Sequence, residues 1–374
     1  MKNVYLDNAS TTKPLSSVIE IMKNSLEQNY GNASSIHSFG RNAKSAVENA
    51  RKSIAKKLNC SSSEIIFTSG ATEANNWILT SAVNDLQVER IITSKTEHQA
   101  VLQVVENLEK KHKVIVEYLP IDEFGQIKLA DLVTLLNQKV KTIVSLMHVN
   151  NETGVMFDID SISKICKQSH AYFHSDTVQS MGKYNFDLQT IAIDFLVASA
   201  HKFHGPKGIG FVFKRKSIFL KSIITGGEQE KGLRAGTEAV HNIQGLEAAF
   251  LDCYQNIEDT RIYISKLKDY TISALKIVYP DMQINGGLNT SHSILNVLLP
   301  IAEDKAPLLL FALDMQGIAV SKGSACQSGS YKNSHVLIEM LSETDLKKPG
   351  LRISFSKFNT TDDIDHLVSV LKTI

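Results

Sequence analysis

Six short apolar runs rich in β-branched residues recur between residues 64 and 200: EIIFTS, ERIITS, KVIVEYLP, KTIVSLMHV, AYFHSD and DFLVASA. Several are separated by stretches with helical periodicity. Strands alternating with helices imply a mostly parallel sheet with helices on both faces, because parallel neighbours need long crossover connections. One helix is plain in AKSAVENARKSIAKKL, where Ala43, Val47, Ala50, Ile54 and Leu58 fall on one face. A helical stretch also begins near Thr72, after EIIFTS and Gly70. Such sheets gather function at the carboxyl ends of their strands. The informative polar residues of this chain fall at such ends.

Beyond about residue 256 the pattern changes. A long helical segment precedes HSILNVLLP, a helix around KAPLLLFALDM, the stretch GIAVSKGSACQSGS, a strand LRISFS and a final helix TTDDIDHLVSVL. This reads as a smaller C-terminal α+β domain. A chain of 374 residues is long for a single domain, and its 43% hydrophobic content supports sizeable cores. The 40 basic and 39 acidic residues nearly cancel, which argues against a dedicated nucleic-acid binder. MKNVYLDNASTTKPL lacks the apolar core of a signal peptide, and APLLLFAL is less than half the roughly 20 residues that span a bilayer. The four cysteines, Cys60, Cys166, Cys253 and Cys326, are far apart with no metal-type pairing, so reduced thiols in a cytoplasmic protein are expected.

Six stretches carry candidate chemistry, and each has a plain structural alternative. In SGATEAN (69–75), a glycine turn opening a helix suits an anion, although Ser69 or Thr72 also serves as a simple cap. In TEHQAV (96–101), His98 lies flat over a planar ligand or is an ordinary surface or core histidine. MHVNNETG (147–154) is a polar turn after a strand, and turn formers need no further role. In FHSDTVQ (173–179), Asp176 ends an apolar strand and needs a partner: a pyridinium N–H or a basic side chain. In ASAHKFHGPKGIGF (198–211), Lys202 either reaches solvent from a polar turn or is held as a Schiff-base lysine, with glycines letting backbone approach a ligand. Those glycines precede a strand, so they fit neither a Rossmann nor a Walker spacing. In KGSACQSGS (322–330), Cys326 is an incidental thiol or a nucleophile on a mobile loop, and Arg352 in LRISFS suits a carboxylate. Together, an anion cradle, an aromatic lid, a strand-end acid and a reactive lysine are the parts that hold pyridoxal phosphate.

In the order LDNASTT, NASSIHSFGR, FTSGATEANN, TEHQAV, HVNNETG, HSDTVQ, SAHKFHGPKG, RAGTE, GSACQSGS and LRISFSK, the chain resembles the cysteine desulfurases of the nitrogen-fixation and iron–sulfur-assembly type. These are class V members of the fold-type I pyridoxal-phosphate enzymes. The resemblance runs from Leu6 to the last helix. It implies an α/β large domain over residues 15–256, and a small domain from residues 1–14 and 257–374 that carries the cysteine loop.

Residue by residue, the resemblance implies that Lys202 holds pyridoxal 5'-phosphate as a Schiff base, with His98 stacked on its ring. Asp176 keeps the ring nitrogen protonated, Gln179 bonds the ring hydroxyl, and Asn151 sits near that hydroxyl and the substrate. Ala71, Thr72, Ser199 and His201 bind the phosphate. Thr237, in RAGTE, reaches the phosphate of a neighbouring subunit, which implies a homodimer. Arg352 holds the carboxylate of L-cysteine, and Cys326 accepts sulfur as a persulfide while L-alanine leaves. The loop resembles the longer type, whose persulfide passes to a separate acceptor for iron–sulfur assembly or tRNA thiolation. Where the family often has a glycine–arginine pair, this chain has Ser356–Lys357, a departure expected to act near the substrate entrance. A selenocysteine lyase on the same fold, a non-catalytic relative and a nucleotide-binding α/β protein are the rival readings.

Overall fold

The computed structural model describes residues 3–301, 308–322 and 333–373. The twelve strands among them are β1 (Val4–Tyr5), β2 (Ile65–Thr68), β3 (Arg90–Thr93), β4 (Ile115–Tyr118), β5 (Thr142–Ser145), β6 (Tyr172–Asp176), β7 (Phe195–Ser199), β8 (Gly210–Lys214), β9 (Gln283–Ile284), β10 (Ile294–Leu298), β11 (Ile318–Ala319) and β12 (Gly350–Ser354). Seven form the main sheet in the order β2-β8-β7-β6-β5-β3-β4. Its pairings are parallel except that β8 runs antiparallel to both β2 and β7. All six apolar runs of the sequence lie in this sheet.

Alternation decides which face each side chain joins. Ile65, Phe67, Phe173, Leu196, Phe211 and Phe213 enter one core with Val47, Ala50 and Ile54 of the helix Ser38–Lys57. Ile66, Phe195, Val197 and Val212 enter the other, against Trp77 and Ile78 of the helix Ala71–Asn84. With both faces covered, the strands read as continuous apolar runs. Each large apolar side chain so buried contributes about 1.5–3 kcal/mol.

A third core joins the two ends of the described chain. Val4 and Leu6 pack with Leu267, Leu295, Val297, Leu351, Ile353 and Leu367. Here β9, β10 and β12 form an antiparallel sheet, and β1 pairs parallel with β11. The backbone continues past β1 along β12, where Ser354 N–H donates to Leu6 O and Asn8 N–H to Ser354 O. The helices Val240–Gln255 and Ile257–Val278 meet at Asn256, near residue 256, where the pattern changes. No helix of the described residues is long and apolar enough to cross a membrane.

Candidate functional site

The carboxyl ends of β2, β5, β6 and β7 open onto one cavity of about 430 Å³. It is lined by Ala71, Thr72, His98, Asn151, Asp176, Gln179, Ser199, His201, Lys202 and Arg352 among others. Of the expected site residues, ten therefore meet in one place. Thr237 does not line this cavity and is exposed. Cys326 lies outside the described residues.

One wall is a turn and a helix start. Gly70 precedes the helix Ala71–Asn84 with φ 154° and ψ −176°, a conformation that only glycine adopts cheaply. A Cβ on Gly70 would stand 3.5 Å from Ser199 Oγ, so that hydroxyl lies against the helix start. The first N–H groups of this helix have no intrahelical acceptor, and the helix dipole favours an anion there. The turn is braced from outside: Glu73 accepts from Ser69 N–H at 2.9 Å and from Arg234 of the RAGTE segment at 3.0 and 3.2 Å. Burial opposes ionisation of Glu73, but these bonds hold its carboxyl below the usual range.

The glycines of GPKGIG divide their work. A Cβ on Gly210 would lie 2.3 Å from Ala198 O and 2.9 Å from Gly70 Cα, so this glycine lets β8 close on its neighbours. Gly205 likewise packs on Ala200. Only Gly208 lines the cavity, so close approach to a ligand explains one of the three.

Asp176 ends β6 inside this cavity. Its Oδ2 accepts from Asn75 Nδ2 at 2.8 Å, and its Oδ1 from Val178 N–H at 3.0 Å. No lysine or arginine forms an ion pair with it among the described residues. Behind it, Asn75 Oδ1 lies 3.1 Å from His174 Nε2, and His174 Nδ1 lies 2.9 Å from Ser145 Oγ. An amide oxygen only accepts, so His174 carries its hydrogen on Nε2 and takes one from Ser145 on Nδ1. Burial pushes His174 down to about 4, in keeping with a neutral ring.

His98 caps the helix Gln99–His112, with Nδ1 accepting from Ala100 N–H at 3.1 Å. Neutral His98 thus bears its hydrogen on Nε2. Burial, with repulsion from Lys202 and His335, outweighs Asp176 and holds it below the usual range. The preceding Glu97 is fully buried, with Oε1 accepting from Met147 N–H at 2.6 Å. Burial and then Asp176 raise its carboxyl well above the usual range.

Lys202 follows β7 in a short 3₁₀ turn, and its Nζ donates to Ala9 O at 2.6 Å and Ser10 O at 2.8 Å. Thr12 N–H returns to His201 O at 2.8 Å, stitching LDNASTT to the lysine turn. His201 Nδ1 meets Thr11 Oγ1 at 3.1 Å, and burial and Lys202 lower it to about 4. Gln179 donates through Nε2 to Ala9 O at 2.8 Å.

Another part of the lining comes from β12. Arg352 Nη2 donates to Asp7 Oδ1 at 2.8 Å and Ser10 Oγ at 2.6 Å, and Nη1 to Asn151 O at 2.8 Å. Its backbone also bridges Ser321, with N–H donating to Ser321 O at 2.6 Å. After residue 332, Ser334 Oγ donates to the buried carboxylate of Glu152 at 2.5 Å and caps the helix His335–Ile338. His335 Nε2 lies 2.9 Å from Glu97 O and lines the cavity. Both approaches to the segment 323–332 are thereby tied to cavity residues.

Ser356 and Lys357 line a second cavity, of about 140 Å³, on the other side of Lys202. Lys357 pairs with Asp252 there. Neither residue lines the main cavity. Sequence reasoning also passed over Asn75, Glu97, Glu152, His174, His335 and the Ala9 and Ser10 carbonyls. All of these but His335 lie within quoted motifs, but nothing in residue type separates them from turn and cap formers.

The aminotransferase class-V family model matches residues 4–367. A cysteine desulfurase IscS of Dictyoglomus turgidum is 39% identical over 379 residues, spanning 100% of this chain and 94% of the relative. A solved NifS-like protein superposes with a TM-score of 0.91 at 34% identity, covering 100% of this chain and 99% of that one. A solved structure of SspA in complex with cysteine gives 0.84 at 30% identity over 96% and 100% of the two chains. By match length and identity, the chain belongs to the aminotransferase class-V family, in the company of its cysteine desulfurases.

Proposed function

We propose that this protein is a cysteine desulfurase that uses pyridoxal 5'-phosphate to convert L-cysteine to L-alanine, leaving sulfur as a persulfide on Cys326. One observation carries the reading: the Lys202 amine, the Asp176 carboxylate and the Ala71 helix start face a single cavity. The residues fit that cofactor. Open helix N–H groups, Thr72, Ser199 and His201 suit a phosphate. Asp176, with no lysine or arginine paired to it among the described residues, suits a ring N–H, and Gln179 and Asn151, which line the same cavity, suit the ring hydroxyl.

When bound, pyridoxal phosphate supplies an electron sink for the electrons released at the substrate Cα. Asp176 would keep that sink positive, since an adjacent negative charge favours the protonated form. The Lys202 amine would take the Cα proton. His98 would lie against the ring and present its Nε2–H. Arg352 orients the substrate carboxylate, with Asp7 and Ser10 holding the guanidinium plane. At Cys326 the balance is simple. The C–S bond of L-cysteine breaks, an S–S bond forms to Cys326 Sγ, and the carbon keeps the bonding electrons and gains a proton. No external oxidant is needed.

Thr237, exposed in its own chain, is the residue we assign to a partner's phosphate in a homodimer. Exposed Ile19, Leu26, Tyr30, Ile36 and Phe39 supply apolar surface suited to that contact. We assign residues 15–256 to a large domain and residues 1–14 with 257–374 to a small one, and place the protein in the cytoplasm. The persulfide then passes to an iron–sulfur scaffold or a tRNA-thiolation relay.

The test is alanine and sulfide release from L-cysteine with a thiol reductant. Lys202→Ala is expected to lose at least about a thousandfold in rate, and Cys326→Ala to stop releasing sulfide. Equal sulfide from Cys326→Ala overturns the persulfide step. A wild-type protein that never captures pyridoxal phosphate overturns the whole reading.

A further inference from the structure

A second amine lies behind the first. Lys183, in the turn after β6, lines the smaller cavity, and Lys202 lines both cavities. Lys183 Nζ donates to Gln179 Oε1 at 3.3 Å, while Gln179 Nε2 donates to Ala9 O, which also receives Lys202 Nζ. The sequence Lys183–Gln179–Ala9–Lys202 is thus one connected set of polar contacts.

The charged groups around Lys183 leave it without a carboxylate of its own. Asp252 pairs with Lys357, and Arg261 pairs with Glu258. Arg352 and Lys202 repel it; Cys253 favours its charge, but burial raises that thiol to about 12. Burial, then Lys183, Arg261 and Lys268, lower His292 to about 3, and burial also lowers His204. Neither imidazole is an anion. No ion pair reaches Lys183 among the described residues, and its three N–H donors face one amide oxygen and a cavity.

We propose that Lys183 is a positioning residue for Lys202: it fixes the Gln179 amide with Nε2 toward the main cavity, and its charge disfavours the ammonium form of Lys202. An amine must be neutral to attack an aldehyde. The two carbonyls that hold Lys202 Nζ favour its ammonium form, and a like charge nearby opposes them. Burial first, then Lys202, bring Lys183 down to about 7. The two amines titrate as a pair, and repulsion within the pair raises the neutral fraction of each. The idea rests on Lys202 being the residue that captures pyridoxal phosphate.

The experiment follows capture of pyridoxal phosphate by cofactor-free protein across pH, by absorbance and by borohydride reduction with peptide mass mapping. Lys183→Met is expected to raise the midpoint of capture by about one pH unit, slowing capture at pH 7 about tenfold. Lys183→Arg carries a permanent charge and is expected to hold the midpoint at or below the wild-type value. Should Lys183→Met not fold, Lys183→Gln removes the charge while keeping a donor. An unchanged midpoint in a folded charge-removing variant overturns the proposal, as does a midpoint raised equally by Lys183→Arg. Absence of capture by wild type at every pH is a different failure, that of Lys202 as cofactor lysine.

Discussion

Asp176 and Arg352 line one cavity, and they are held in opposite ways. Asp176 is supported from within a single layer: Asn75 comes from the helix after β2, and Val178 from the next turn of chain. Arg352 lies within β12, and its partners Asp7, Ser10 and Asn151 come from chain 201 to 345 residues away. Parallel topology delivers Asp176, because every strand of the main sheet except β8 points the same way. The Arg352 site exists only where the smaller core meets the main sheet. The amino-terminal stretch joins them, pairing along β12 before its Ala9 and Ser10 carbonyls reach Lys202.

This contrast can be broken by mutation. The largest effect is expected for Asp176→Asn, which keeps shape but removes the charge at the sheet end. Its kcat should fall about 10²- to 10⁴-fold with little change in KM, read from initial rates of alanine formation. Unaltered kcat would mean that the ring nitrogen lies elsewhere.

Arg352→Lys probes the docked contact. A lysine cannot reproduce the fork that reaches Asp7, Ser10 and Asn151 together, so KM for L-cysteine should rise about tenfold or more. Cofactor capture at Lys202 should persist, because none of its cradle comes from β12. Loss of capture in Arg352→Lys would show that Arg352 and the cofactor cradle are not separable.

The smallest effect concerns stability. Burial lowers His148, His174 and His201 to about 4 and His292 to about 3, so each is neutral when folded near pH 6 and takes up a proton on unfolding below about pH 6.5. Burial raises Asp194 to about 6 and raises Glu97, so these two acids act in the opposite sense. Four protons taken up against at most two released leave a net uptake of about two. Stability should therefore fall by about 2.7 kcal/mol per pH unit as pH drops from 6 to 5, measured by urea unfolding. A rise over that range would mean that the two acids outweigh the four histidines. His174→Gln should remove about one proton's share of the slope.

Much of the main sheet was legible because burial on both faces leaves an uninterrupted apolar run, which any sequence window reveals. The helix from Ala43 to Leu58 was legible for a similar reason: one apolar face repeats along it. In the structure that helix starts earlier, at Ser38, because His37 caps it by accepting from Gly40 N–H, and caps leave weak local signals. The two-residue strands β1 and β11 left no signal at all, since their pairing joins positions more than 300 residues apart.

By itself the sequence determined the strand–helix alternation, the glycine at the cradle and the chemical types gathered at strand ends, because these are local properties of residue and spacing. Only the tertiary structure decided that Lys202 rests on the Ala9 and Ser10 carbonyls, that Arg352 is held by Asp7, and that Lys183 stands behind Gln179. Those contacts depend on how separate layers dock, and docking is set by the packing of whole cores, which no short stretch of chain encodes.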